Sequence, residues 1–206
     1  MKIEIIDLKK RFQEEKKGIL KCINRVLKKG NLVLTQEVQN FEKSICKFTG
    51  AKYCLGVNSG TDALLMSLWS SGISKNDEVI TSPISFIAST SSIIHVGAKP
   101  VFVDVDQSGN LGPLSIGLNP DAVLYANLFG NLADYDSIKG FCDSRKIPLI
   151  EDAAQSIGAI YKKIPSGKLG DISVFSFDPM KNLPSFGTGG MVLTDNDEHY
   201  KNIISL

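Results

Sequence analysis

AVLYANLFGNLADYDSIKGFCDSRKIPLIED, residues 122–152, holds two apolar runs, AVLYAN and IPLIED, joined by a stretch from 134 to 145 with helical spacing. Short and nearly continuous apolar runs of this kind are strands buried on both faces, and a helix between them makes the unit a parallel crossover. The same alternation extends in both directions. Upstream lie DEVITS (77–82) and KPVFVDV (99–105), with a helical segment at 86–95 between them; a further helix is expected from Thr61 to Ser71. Downstream, ISVFSF turns through FGTGG (186–190) and comes back as MVLT. Residues 8–29 and 35–48 carry apolar positions at helical spacing among charges, with Asp7 and Thr35 as N-caps and Gly30 and Gly50 as stops. The pattern predicts an α/β protein whose mainly parallel sheet is covered by helices on both faces.

Composition narrows the function. A chain of 206 residues, 43% hydrophobic, can bury a core of good size. Lys and Arg total 23 against 22 Asp and Glu, so a net charge of +1 gives no bulk attraction to nucleic acid or to an anionic membrane. No segment has the length and apolarity of a signal peptide or a membrane span, and a cytoplasmic location is expected. Cys22, Cys46, Cys54 and Cys142 form no C-x-x-C pair and lie far in sequence from His95 and His199, which argues against zinc and against a disulfide framework.

Ligands of such sheets bind beyond the carboxyl ends of the strands, and three of those ends carry suggestive residues. In GVNSGTDALLMSL, Gly60 allows close backbone approach, and the amides of Gly60, Thr61 and Asp62 open a helix suited to phosphate; the plainer alternative is an ordinary Ser-Gly-Thr helix cap. In PLIEDAAQSIGA, a buried strand delivers Glu151 and Asp152, with Gln155 three residues on; each carboxylate needs a partner, unless it merely caps a helix. In DISVFSFDPMKNLPSFGTGG, Ser176 and Lys181 follow a strand and precede a glycine-rich turn, although a solvated loop lysine is common. Together, a phosphate cradle, a strand-end acid and a constrained lysine match the needs of pyridoxal phosphate: a covalent anchor, a partner for the ring nitrogen and a phosphate site.

Through IDLKKRF, NSGTDALLMSL, GAKPVFVDVD, LFGNLADYDSI, IEDAAQSIGA, GDISVFSF and KNLPSFGTGGMVLTD, the sequence resembles the DegT/DnrJ/EryC1/StrS sugar aminotransferases, in order and over essentially the whole chain. The resemblance implies the three-layer αβα large domain of a fold type I aminotransferase. It makes Lys181 the covalent lysine and Asp152 the partner of the pyridine nitrogen. Gln155 would lie near the phenolic oxygen, Gly60, Thr61 and Ser176 at the phosphate, and Phe86 stacked on the ring. It further implies transfer of an amino group, with glutamate as donor, to a keto group of a nucleotide-linked sugar, in a homodimer. A related branch performs sugar 3-dehydration with His in place of the lysine, and Lys181 argues against it. Asp178, Met180, Thr188, Thr35, Gln36 and Asn127 depart from the usual family pattern. Family chains run further into a smaller C-terminal domain, so residues 1–206 are expected to be a truncated large domain; a noncatalytic protein that only dimerises or binds a ligand is the alternative. A nucleotide-binding dehydrogenase is disfavoured, since no G-x-G-x-x-G follows a first strand.

Overall fold

The computed structural model describes residue 4 and residues 6–206, which divide into two compact units, 1–41 and 42–206. The first contains helix α1 (Leu8–Lys29) and the opening turns of α2 (Gln36–Thr49). Asp7 caps α1 by accepting from the Lys10 amide at 2.9 Å, and Gly30 ends it in the left-handed region at φ 70°. Thr35 accepts from the Val38 amide at 3.4 Å at the start of α2, and Gly50, φ 74°, stops that helix.

The second unit is built on one seven-stranded sheet. Its strands are β1 (Tyr53–Val57), β2 (Glu78–Thr81), β3 (Lys99–Phe102), β4 (Ala122–Ala126), β5 (Leu149–Asp152), β8 (Ile172–Ser176) and β9 (Gly190–Thr194), in the order β1-β9-β8-β5-β4-β2-β3. The run from β3 to β8 is parallel; β9 is antiparallel to both β8 and β1. Two-residue strands β6 (Ile160–Tyr161) and β7 (Ile164–Pro165) form a separate hairpin that the sequence pattern did not anticipate. Each is too short to show a period, and the turn between them places Lys162 and Lys163, rather than glycine, at positive φ.

Period-two alternation sorts the strand residues between two faces. Leu124, Ile150, Val174 and Val192 pack under α3 (Gly60–Ser70), α4 (Ile87–His95) and the last helix, α6 (Asp197–Ser205). Val123, Tyr125 and Leu149 pack against α5 (Tyr135–Arg145) on the other side, where Phe175, Met191 and Leu193 meet Ile45 of α2. Burial of each such Leu or Ile is worth about 1.5–3 kcal/mol. Register is therefore fixed, because a slip of one residue would exchange the faces.

The alternation decides the fate of the two strand-end acids. Asp152 shares the face of Ile150 and points toward α4, whereas Glu151 points the opposite way and is fully buried. Among the described residues Glu151 meets no cation, and its compensation comes from neutral donors. Asn127 Nδ2 and Ser166 Oγ each donate at 2.9 Å to Oε1; the Leu169 amide, at 2.9 Å, and Ser173 Oγ, at 2.6 Å, donate to Oε2; the Gly167 amide reaches both oxygens. Burial pushes the Glu151 pKa up, and the bonds from Ser173, Leu169, Ser166 and Gly167 oppose it. Asn127 closes this network by accepting from the Ala133 amide at 3.0 Å.

Glu151→Gln provides a test. Either orientation of the new amide sets its NH2 against an obligate donor, Asn127 Nδ2 or the Leu169 amide. A buried unmet donor costs about 1–3 kcal/mol, so urea titration should show that loss with an unchanged m-value.

Candidate active site

At the carboxyl end of β5, Asp152 is 6% exposed, and both of its oxygens are engaged. Ser89 Oγ, in the first turn of α4, donates to Oδ2 at 2.7 Å, and the Ala154 amide donates to Oδ1 at 3.1 Å. Burial pushes the Asp152 pKa up, against the hydrogen bonds of Ser89 and Ala154 and the positive charge of Lys181. Lys181 is thus the cation of this site, and its Nζ lies 5.8 Å from the centroid of the Phe86 ring. Phe86, at the N-cap of α4, is 62% exposed rather than a core residue.

Local bonding explains how the lysine is presented. Asp178 and Pro179 begin a turn in which the Lys181 amide donates to the Asp178 carbonyl at 2.9 Å, while Asp178 Oδ1 accepts from the Met180 amide at 2.9 Å. Farther along, the Ser185 amide and hydroxyl both donate to the Phe177 carbonyl at 2.8 Å, and the Phe177 amide donates to the Gly189 carbonyl at 2.8 Å. The loop is closed at its base, so Lys181 sits on a restrained segment. Asp178 serves as the turn's internal acceptor.

The third group is assembled by glycines. A Cβ on Gly60 would stand 2.8 Å from Ser176 Cβ, and one on Gly190 only 2.2 Å from the Ser59 carbonyl oxygen. The start of α3 therefore lies directly on the ends of β8 and β9. Ser59 caps the helix by accepting from the Asp62 amide at 3.0 Å, and the amides of Gly60 and Thr61 head it beside the Ser176 side chain. Residue 176 has the parity of 174, which turns its hydroxyl to the α3 face.

Gln155 sits at the same end of the sheet, with its Oε1 accepting from the Phe129 amide at 2.9 Å. Phe129 adopts φ 55°, ψ 21°, an unusual conformation for a large side chain, and is 92% exposed. The structure thus joins Asp152, Lys181 and Phe86 in one group and Gly60, Thr61 and Ser176 in another, both at the carboxyl ends of the strands; Glu151 belongs to neither. Ser89 and Phe129 escaped the sequence reading. The one signal for Ser89 is its position three residues after Phe86 at the start of a helix.

A cleft of about 570 Å³ lies at the opposite end of the sheet, lined by Lys52, Lys168, Asp171, Asp195, Asp197 and His199. Ion pairs Lys52–Asp197 and Lys168–Asp195 satisfy its charges, and it lies away from Lys181, so volume alone is a poor guide here. Of the cysteines, Cys54 and Cys142 are buried, and burial holds the Cys142 thiol up at about 12, unreactive near neutrality. Among the described residues no cluster of three or more His, Cys, Asp or Glu could hold a metal ion, and no helix is long and apolar enough to cross a membrane.

A restrained lysine, a buried acid and a helix-start cradle at the strand ends of a mainly parallel α/β sheet define the class: α/β proteins that hold their ligand beyond the carboxyl edge. Within that class, residues 13–206 match the model of the DegT/DnrJ/EryC1/StrS aminotransferase family, and the chain belongs to it. It is 40% identical over 201 residues to the UDP-2-acetamido-2-deoxy-3-oxo-D-glucuronate aminotransferase of Pseudomonas aeruginosa, covering 95% of this chain and 56% of that protein. A DegT/DnrJ/EryC1/StrS aminotransferase from Brucella abortus superposes with a TM-score of 0.93 at 31% identity, covering 99% of this chain and 58% of that one. NtdA from Bacillus subtilis, solved with bound cofactor PMP, gives 0.90 at 30% identity, covering 99% and 47%. The chain spans about half the length of the curated relatives it matches.

The glycine contacts yield an ordered prediction. Gly190→Ala forces a Cβ into backbone and should cost about 3 kcal/mol, while Gly60→Ala meets a small side chain and should cost about 1–2 kcal/mol. Denaturant midpoints of the two variants measure the difference.

Proposed function

We propose that this chain forms the cofactor-binding large domain of a pyridoxal-phosphate-dependent aminotransferase that carries an amino group from glutamate to a keto group of a nucleotide-linked sugar. The observation that carries this reading is the grouping of Lys181, buried Asp152 and Phe86 at the sheet end that also holds the Gly60–Ser176 cradle. These residues fit the cofactor. Glycine leaves the helix start bare beside Ser176, where a Cβ would clash, and among the described residues the charge set against buried Asp152 is that of the lysine itself.

When bound, pyridoxal phosphate supplies an electron sink for the carbanion left by loss of the donor's α-proton. The chain's own groups do the rest. The amides of Gly60 and Thr61 and the hydroxyl of Ser176 bind the phosphate at the positive end of α3, which favours an anion by about 0.3–2 kcal/mol. Asp152, as the carboxylate, holds a proton on the ring nitrogen through its negative charge, and a buried site strengthens that attraction. Phe86 offers a ring face, and Gln155, its oxygen engaged by Phe129, has its NH2 left to donate to an oxygen such as the phenolic one. Lys181 would be the covalent anchor, and its Nζ is the group that would accept and return the migrating proton. General acid–base assistance of this kind is worth about 10²–10⁴-fold.

Nucleotide-linked keto sugars as acceptors are supported by the name of the Pseudomonas relative, and dehydration is disfavoured because position 181 is lysine. Homodimerisation is supported by the apolar side chains exposed on the strand-end loops, Ile84, Phe129, Met180 and Phe186, which a second copy would cover. A cytoplasmic setting accords with four unpaired cysteines.

Borohydride treatment of the chain loaded with pyridoxal phosphate should leave the pyridoxyl group on the peptide containing Lys181, and Lys181→Ala should abolish the labelling. Label on another lysine, persisting in that variant, would reject the assignment. In a chain with measurable transfer from glutamate, Asp152→Asn should lower turnover by about 10²-fold, the typical loss of one preorganised electrostatic group. Turnover near that of the parent would reduce Asp152 to a packing role.

A further inference from the structure

On α4, Ser89 is fully buried and sits between two groups, Asp152 Oδ2 at 2.7 Å and Ser85 Oγ at 2.8 Å. A hydroxyl has one proton to give. An ionised Asp152 can only accept, so the Ser89 proton goes to Asp152, and the Ser89 oxygen must then accept from Ser85. The row has a direction: Ser85 donates to Ser89, and Ser89 donates to Asp152. Ser85 is half-buried and precedes Phe86, so the row runs from the wall of the site to its acid.

From this geometry we infer that Ser89 is a positioning residue for Asp152: fed by Ser85, it fixes Oδ2 and favours the ionised carboxylate that the ring nitrogen of the cofactor requires. The inference rests on the reading of Asp152 as that nitrogen's partner. Hydrogen bonds to an ionised acceptor are roughly twice as strong as neutral ones, and a donor that is itself an acceptor becomes polarised. The first turn of a helix adds its own preference for negative charge. Few other groups can perform this task. The Ala154 amide holds Oδ1, Lys181 contributes charge from the loop after β8, and Glu151, next in sequence, points to the opposite face. The N-cap of α4 is Phe86, which makes no side-chain capping bond, and the Ser89 hydroxyl, inside the first turn, is spent across on β5.

The test uses the full chain with and without cofactor. In cofactor-free protein, carboxyl NMR should show the Asp152 titration midpoint moving up in Ser89→Ala, and moving the same way but less in Ser85→Ala. Equilibrium dialysis should show the dissociation constant for pyridoxal phosphate rising about tenfold in Ser89→Ala. In an Asp152→Ala background the same change should alter it by no more than about twofold, since the acceptor is gone. An unmoved midpoint with intact circular dichroism, or equal losses in the two backgrounds, overturns the inference. If the parent chain bound no pyridoxal phosphate, the proposed function would fail, and the Asp152 titration would still decide the role of Ser89.

Discussion

Two carboxylates in succession at the end of a buried strand set the central constraint on this molecule. Neither can be left without compensation in an apolar interior, and the pleat of β5 sends them to opposite faces, where two different solutions are built. Glu151 is surrounded by donors from the residue after β4, from β8 and from the segment leading into β8, so it ties three parts of the fold together with no cation among the described residues. Among the described residues, the Asp152 carboxylate receives two hydrogen bonds and the positive charge of Lys181. The fully satisfied acid is structural, and the partly satisfied one retains the electrostatic capacity that the proposed function requires of it.

The other half of the site depends on how closely backbone can approach backbone. Gly60 and Gly190 bring the start of α3 onto the ends of β8 and β9 at a distance where no side chain fits, and Ser176 occupies the small remaining space. The cradle and the lysine are therefore coupled through the same two strands: β8 carries Ser176 and leads into the Lys181 loop, and β9 begins where that loop closes. A change in the pairing of β8 with β9 would disturb both at once.

Much of this was legible in the sequence, for identifiable reasons. The helices and parallel strands followed from apolar spacing, since both faces of the sheet are covered and the strands read as continuous runs. Asp152 and Ser176 drew notice as polar residues at the end of apolar runs, Gly60 as a glycine opening a helix, and Lys181 as a lysine in the loop between a strand and a glycine-rich turn. What escaped detection depends on contacts between segments far apart in the chain. Ser89 lies in SFIASTSS, where one serine among several has no local mark, and its importance comes from β5. The bond from the Phe129 amide to Gln155 rests on a backbone conformation that no propensity for phenylalanine would suggest. Likewise, the roles of Asp178 and Asn127 in the loop turn and the Glu151 network emerge only when their hydrogen-bond partners are in view.

The position of β9 has a consequence for how the chain acquires its structure. β1 pairs only with β9, Tyr53 opposite Thr194 and Val57 opposite Gly190, so a strand from the early part of the chain waits for one near residue 190 before it has a neighbour. Contacts this remote in sequence are slow to form, because the loop between them must be closed before any pairing rewards it. On the ribosome, β2, β4 and β5 can associate while β1 and the start of α3 still lack their seat. The junction of Gly60 with Ser176 and Gly190 is completed only when β9 arrives, and until that moment the apolar edge of β1 stays open to wrong partners.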